Sequence, residues 1–264
     1  MATATIIGLG EAGALYARGL ADAGFAVHGY DPFTQLDEPS ITQHAELADA
    51  LRPADLVITL VGARAAKPVT EQVLAALEHA PLIADFNTGS PSLKRELGEL
   101  AAAHGAPFVD VAVLAPVPRA GAKTPLMVSG QAAGDFLELF APVGAAVESI
   151  AGAPGDAAAR KLLRSAFMKG LAGVILESVG AAEAAGCGDW LRAQIVAELS
   201  GDADAFVERL ITGSKQHAER RVHEVADASD YLRSIDQPSW STDAAGQWLR
   251  RLRDETATRP ADAA

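Results

Sequence analysis

The residues best suited to chemistry begin at position 8, where Gly8-Leu9-Gly10-Glu11-Ala12-Gly13 spells G-x-G-x-x-G between an apolar run and an Ala/Leu-rich stretch. A strand before and a helix after is the context in which this pattern has physical meaning. Gly8 permits a tight turn, Gly10 lets the backbone approach a diphosphate with no Cβ in the way, and Gly13 lets the helix pack close to the strand. The free N–H groups at the helix start, over Glu11 and Ala12, then face the anion. The next strand ends in Val27-His28-Gly29-Tyr30-Asp31, an acid 18 residues past Gly13. A carboxylate there accepts hydrogen bonds from a ribose 2′-hydroxyl and repels a 2′-phosphate. Residues 32–36 hold no Arg or Lys to neutralise such a phosphate, so the pattern favours NAD, with NADP as the alternative. Val61, in Leu60-Val61-Gly62, and Asn87 and Thr88, in Asp85-Phe86-Asn87-Thr88, close later strands where a cofactor crevice should lie. Asn87 and Thr88 suit either a nicotinamide ribose or substrate contact, or the cap of a helix starting at Pro91.

Hydride chemistry at an alcohol carbon also needs a group that exchanges the hydroxyl proton. His79 and His104 lie near expected helix ends, His28 lies inside a strand, and His44, His217 and His223 fall in expected helices. None has a catalytic partner pattern. Lys161 is better placed, in the first turns of a long helix after Gly155, with Ser165 one turn further on the same face. Partial desolvation beside an oxidised nicotinamide would lower its pKa, as would the basic neighbours Arg160, Arg164 and Lys169. Those same cations would attract a carboxylate or phosphate on a substrate. The spacing supports no metal site, and one cysteine cannot build a thiolate site.

Stepping outward to the elements, residues 1–153 alternate β-branched runs with helical stretches. Strands are expected at 3–8, 26–30, 56–61, 82–86, 108–113 and 126–129, with a last one at 146–150. Helices are expected at 11–23, 44–51, 67–79, 91–104 and 132–140. Such alternation implies a doubly wound, mostly parallel α/β sheet of the Rossmann type, whose two covered faces make the strands read as continuous apolar runs. From residue 154 onward no strand is expected. Asp156 reads as an N-cap, and a helix of about 30 residues follows, roughly 45 Å long. Beyond its first turns it is apolar nearly all round, which requires burial in a bundle or between subunits. Shorter helices are expected at 190–199, 204–212, 214–226 and 241–253, ended by Gly186, Gly188, Gly213 and Pro238. The stretch from Asp254 to Ala264 reads as frayed.

Composition narrows the class. The net charge is -12 among 264 residues, which opposes nucleic-acid binding. No run of 18 consecutive apolar residues occurs, so no membrane span is expected. A single cysteine, Cys187, and no secretory leader pattern suit a reducing cytoplasm. A methyltransferase also uses a glycine-rich turn and an acid after the second strand, but its sheet continues to the C-terminus. FAD-binding folds usually run much longer.

The chain resembles the β-hydroxyacid dehydrogenase superfamily, which includes 3-hydroxyisobutyrate, tartronate-semialdehyde and 6-phosphogluconate dehydrogenases. It is most similar to a branch with a 6-phosphogluconate-dehydrogenase-like helical C-terminal domain. The resemblance covers about residues 3–250. It rests on IGLGEAG at 7–13, DFNT at 85–88, VDVAVLAPVPRAGAKTPLMVSG at 109–130 and GDAAARKLLRSAFMKGLAGVILE at 155–177. In that superfamily a G-x-G-x-x-x-K-x-x-x-N stretch opens the long helix and bears the catalytic lysine. Gly155, Lys161 and Ser165 fall on the first glycine, the lysine and the asparagine, and Ala157 replaces the second glycine. The superfamily's substrate loop, D-A-P-V-S-G-G, corresponds to the more apolar Asp110-Val111-Ala112-Val113-Leu114-Ala115-Pro116.

The resemblance implies a reversible NAD(P)-dependent dehydrogenase or reductase. Lys161 would exchange the proton, while Ser165, Leu114, Ala115, Pro116 and Arg164 orient a small substrate. It also implies a homodimer, with the long helix buried between subunits. The apolar loop and the shortened Ser165 point away from the superfamily's usual 3-hydroxy acids. An imine reductase, a decarboxylating dehydrogenase and a non-catalytic dinucleotide sensor are the competing expectations.

Overall fold

A computed structural model describes residues 1–258. The chain divides into two compact units, the first ending at Arg164 and the second beginning at Ser165. The division falls inside the long helix, past the boundary expected at 153/154.

The first unit is built on one eight-stranded sheet. Its strands are β1 (Thr3–Ile7), β2 (Ala26–Tyr30), β3 (Ile41–Gln43), β4 (Leu56–Thr59), β5 (Leu82–Asp85), β6 (Phe108–Val113), β7 (Leu126–Ser129) and β8 (Val147–Ser149). They lie in the order β3-β2-β1-β4-β5-β6-β7-β8. The first six in that row are mutually parallel. The helices are α1 (Glu11–Asp22), α2 (Leu47–Leu51), α3 (Ala66–Ala76), α4 (Pro91–Ala103) and α5 (Ala133–Phe140). The sheet separates two apolar clusters. Ile6, Leu20, Ile58, Phe86, Phe136 and Phe140 belong to one; Ile7, Val57, Val73, Ile83 and Leu97 belong to the other. Successive strand residues thus feed opposite cores, as continuous apolar runs in a doubly covered sheet require. In the first cluster Phe86 meets the Tyr16 ring edge-on, with centroids 4.9 Å apart. Such a contact adds about 0.5–1.5 kcal/mol to the burial itself.

Three details depart from expectation. The strand β3 was not foreseen, and α2 begins at Leu47 instead of His44, because the His44 N–H still donates to the Gly29 carbonyl at 2.9 Å. Within the mostly parallel sheet that was expected, β7 runs antiparallel to β6, and β8 runs parallel to β7. The link from β6 to β7 contains only two short 3₁₀ turns, Val117–Arg119 and Gly121–Lys123, and a parallel return needs a longer crossover. Asp156 is the first helical residue of the long helix α6 (Asp156–Ala184), not its cap, and its Oδ2 accepts from the Ala153 N–H at 3.0 Å.

In the second unit, the remainder of α6 is followed by α7 (Gly188–Leu199), α8 (Ala203–Gln216), α9 (Ala218–Ser234) and α10 (Trp240–Ala257). Asp202 caps α8 through the Ala205 N–H. Gly213 does not end a helix as expected. It stays inside α8, where an added Cβ would meet only the flexible end of Arg221, at Nη2, 2.9 Å away. Asp254 to Ala257 are helical, not frayed; 259–264, the rest of that expectation, lie outside the described residues. Much of the apolar circumference of α6 stays exposed among the described residues. Leu163 is 72% exposed, Phe167 63% and Leu176 74%. This helix is also long and apolar enough, by length and composition, to cross a membrane.

Candidate active site

The strand order reverses direction between β1 and β4, and the crevice outside their carboxyl ends is where a parallel α/β sheet takes its ligands. Gly8 leaves β1 with φ +96°, and a Cβ there would meet the Leu60 carbonyl oxygen at 2.5 Å. Gly13 sits so close to the same turn that a Cβ would lie 1.9 Å from the Gly8 carbonyl oxygen. Gly10 is different: it has open space where a Cβ would be, and it precedes α1 with no side-chain cap on the first turn. The helix mouth at Glu11 and Ala12 therefore presents amides toward free space, the cradle that a diphosphate fills. A cavity of about 290 Å³ opens beside it, lined by Gly8, Gly10, Asp31, Phe33, Val61 and Gln72 among others. A larger depression of about 860 Å³ lies at the opposite end of β6, along Arg95, Phe108 and Pro154, and contains none of the expected site residues.

Asp31 follows β2 at the cavity edge. Its Oδ2 accepts from the Leu9 N–H at 2.7 Å, and its Oδ1 accepts from the N–H groups of Phe33 (2.8 Å) and Thr34 (3.1 Å). The acid thus ties the glycine loop to the turn after β2. Asn87 is 3% exposed, and its Oδ1 accepts from the N–H groups of Val61 (2.7 Å) and Gly62 (2.8 Å). Its amide donates to Asp85 Oδ1 at 2.6 Å. Asn87 is therefore turned into the protein, shaping the end of β4. The cap of α4 is neither Asn87 nor Thr88 but Ser90, which accepts from the Leu93 N–H.

Thr88 instead meets α6, for Lys161 Nζ donates to Thr88 Oγ1 at 3.1 Å. Burial, then the neighbouring Lys94 ammonium, pushes the Lys161 pKa below the usual lysine value, against the opposing pull of Asp110. Arg164 Nη1 donates to the Leu114 carbonyl at 3.1 Å, joining the helix to the loop that continues into Ala115 and Pro116. Ser165 is not joined to this group. It belongs to the second unit, where its hydroxyl accepts from Lys169 Nζ at 2.7 Å.

Sequence reasoning missed what seats α6. Strand register aligns Thr59 with Asp85, Asp85 with Asp110, and Asp110 with Ser129, a polar row crossing β4 to β7. All four residues are 0% exposed. Asp110 Oδ2 accepts from the N–H groups of Gly155 and Ala158, each at 3.0 Å, and Ser129 Oγ accepts from the Ala157 N–H at 3.0 Å. The orphan amides of the α6 N-terminus are thus satisfied by the sheet, and a carboxylate there also suits the helix dipole. A signal was present: an acid inside the apolar run Phe108–Val113 has to be paired with something.

A reversal point lined with glycines, an acid after the second strand, and a lysine at the strand ends define a dinucleotide-dependent dehydrogenase or reductase. Residues 3–152 match the family described as the NAD binding domain of 6-phosphogluconate dehydrogenase, and the chain belongs to that family. Residues 182–252 match a domain of unknown function, DUF1932. An uncharacterized 28.5 kDa protein of Methanothermus fervidus is 28% identical over 193 residues, 72% of this chain and 73% of its own. A probable 3-hydroxyisobutyrate dehydrogenase of Mycobacterium tuberculosis is 32% identical over 136 residues, 49% of this chain and 46% of its own, so the alignment spans about half of each. Among solved structures, a conserved hypothetical protein from Sinorhizobium meliloti is 25% identical with a TM-score of 0.63, covering 100% of this chain and 92% of its own. An imine reductase from Myxococcus stipitatus in complex with NAD+ shares the fold at 19% identity and a TM-score of 0.83, covering 97% of this chain and 95% of its own.

Proposed function

We propose that the chain is an NAD(P)-linked dehydrogenase or reductase, with NAD favoured by Asp31, of a small hydroxy-acid or sugar-acid-like alcohol and its carbonyl form, with Lys161 exchanging the hydroxyl proton. The observation that carries this reading is the Lys161 amine, half-buried and hydrogen-bonded to Thr88 at the end of the strand crevice. Gly8, Leu9, Gly10, Glu11, Ala12 and Gly13 would hold the diphosphate, and Asp31 the adenosine ribose. When bound, the nicotinamide supplies or accepts the hydride. In oxidation Lys161 accepts the hydroxyl proton, and in reduction it returns one; a pKa below the usual lysine value favours the first role. Val61, Asn87 and Thr88 shape the crevice wall, while Leu114, Ala115, Pro116, Arg164 and Ser165 orient the substrate.

A second reading has its own support. The loop is apolar, and Arg164 is already committed to the Leu114 carbonyl, so a dedicated carboxylate clamp is missing among the described residues. A neutral imine or ketone fits such a loop, and reduction of a C=N bond would use the same lysine.

The same experiment tests both readings. Hydroxy acids, sugar acids and imines are screened against NAD(H) and NADP(H) by cofactor absorbance. Lys161→Ala is expected to lose about 10²–10⁴-fold in turnover of the best substrate while dinucleotide affinity stays unchanged. Unchanged turnover in that variant would overturn the assignment.

The exposed apolar circumference of α6 supports a homodimer, in which a second copy covers it. The single cysteine, which is unpaired, supports a reducing, cytoplasmic setting.

A further inference from the structure

Beneath Lys161 lies a charge cluster that the proton exchange does not use. Lys94 of α4 is 1% exposed. Its ammonium lies 2.9 Å from Asp85 Oδ2 and 3.0 Å from Asp110 Oδ1, and it donates to the Asp85 carbonyl at 2.8 Å. Among the described residues no other donor meets those two carboxylate oxygens. Stability alone is a poor reason for such a cluster, because well-packed apolar residues of similar volume often serve as well or better.

The connections outward are more specific. Through Asp85, Lys94 reaches Asn87 and so the Val61 and Gly62 amides at the cofactor crevice. Through Asp110 it reaches the amides of Gly155 and Ala158, one turn before Lys161. Lys94 and Lys161 also line the same crevice, whose volume of about 10 Å³ holds roughly one water.

We propose that Lys94 is a positioning residue for Lys161, clamping Asp110 under the first turn of α6 and holding a fixed cation across the crevice from the Lys161 amine. This inference rests on the assignment of Lys161 as the proton-exchanging group. The charged groups that act on that amine are Lys94 of α4 and Asp110 of β6; its own helix carries Asp156, turned to the Ala153 N–H, Arg160, and Arg164, turned to the Leu114 carbonyl. The Asp110 charge is shared among two amides, the Ser129 hydroxyl and the Lys94 ammonium, and the Asp85 charge is met by Lys94, Thr59 and Asn87. Lys94 is thus the buried cation opposing a second positive charge at Lys161, in keeping with the lowered Lys161 pKa, for which burial is the first cause and Lys94 the second. Without Lys94 the amine would hold its proton to higher pH.

Trace acetylation with acetic anhydride tests this in the whole protein. Reaction at Lys161 is followed by peptide mass spectrometry across pH, against added Nα-acetyllysine amide. In the wild type, Lys161 should become reactive at lower pH than the free amine; reactivity at the same or higher pH would overturn the proposal. In Lys94→Met, the relative rate at pH 8 should fall about threefold or more, half a pH unit or more in the midpoint. Lys94→Arg, which keeps the cation, should retain the wild-type curve. Lys94→Met leaves two buried acids without their ammonium, so Lys94→Met/Asp85→Asn serves as the second test, with folding checked by circular dichroism. An unchanged Lys161 curve in folded Lys94→Met, or in the double variant compared with Asp85→Asn alone, would also overturn the proposal. Turnover is not read, so failure here leaves the proton-exchange assignment standing, and an active Lys161→Ala enzyme leaves this measurement standing.

Discussion

Asp31 shows how one side chain can prepare a site before any ligand arrives. Its carboxylate already orders the Leu9, Phe33 and Thr34 amides, so the loop and the turn are fixed together. A carboxylate has lone pairs beyond those three bonds, enough to accept a ribose hydroxyl as well. Asp31→Ala is expected to weaken NADH binding and to shift the NADH/NADPH affinity ratio about tenfold toward NADPH, roughly 1.4 kcal/mol. Titration of cofactor fluorescence with both nucleotides reads this directly. An unchanged ratio would mean that Asp31 shapes the loop without discriminating. This acid was legible because its distance from the glycines is a spacing that chemistry constrains. The inward turn of Asn87 was not legible, since a polar residue at a strand end looks the same facing a ligand or a backbone amide. Lys94 was hidden for another reason: most helix lysines are solvated, and only the register that sets Asp85 beside Asp110 creates a place for a buried one.

At the scale of elements, two helix ends, those of α6 and α10, are fastened by side chains from elsewhere in the chain. Within the second unit, Glu177 of α6 accepts from the N–H groups of Ser241 (2.7 Å) and Thr242 (2.9 Å) and from the Thr242 hydroxyl (2.7 Å), capping α10 from outside. Burial opposes ionisation of Glu177, but those hydrogen bonds outweigh it and hold its pKa below the usual carboxylate value. Glu177→Ala is expected to cost about 1–2 kcal/mol at neutral pH, measured by urea denaturation. Because the folded pKa is the lower one, this contribution is fully present above the unfolded value of about 4.5. It declines as the pH falls below that value and is lost once the pH passes the folded one. A penalty that did not shrink in acid would show that packing, not charge, is the cause. Local signals recovered most elements: β-branched runs gave the long strands, and the Ala/Leu-rich stretches gave the helices between them. The three residues of β3 carry too little pattern to register. The reversal at β7 depends on a connection without a helix, which pattern reading passed over. Gly213 misled because a lone glycine is tolerated inside a helix at a cost of about 1 kcal/mol, and α8 continues through it.

For the molecule as a whole, α6 poses the main unsolved surface. Leu163, Phe167 and Val174 recur at spacings of four and seven residues and are 72%, 63% and 49% exposed. Arg160, Lys161, Arg164, Lys169 and Glu177 interrupt the same helix, so another protein surface suits it better than lipid. Light scattering is expected to report twice the chain mass, falling to one chain mass in Phe167→Glu/Val174→Glu; a wild type already at one chain mass would exclude the second copy. The polar row across the sheet has a bearing on assembly of the fold itself. Asp110 faces Ser129 in the one antiparallel pairing among the described strands, and both hold amides of α6. A slip of β7 by one residue would set Val128 against Asp110 and swing the Ser129 hydroxyl to the far face, stranding the Ala157 amide. The seat of the α6 N-terminus therefore exists only in the register that sets Asp110 beside Ser129, and the helix and the strand pairing hold each other in place.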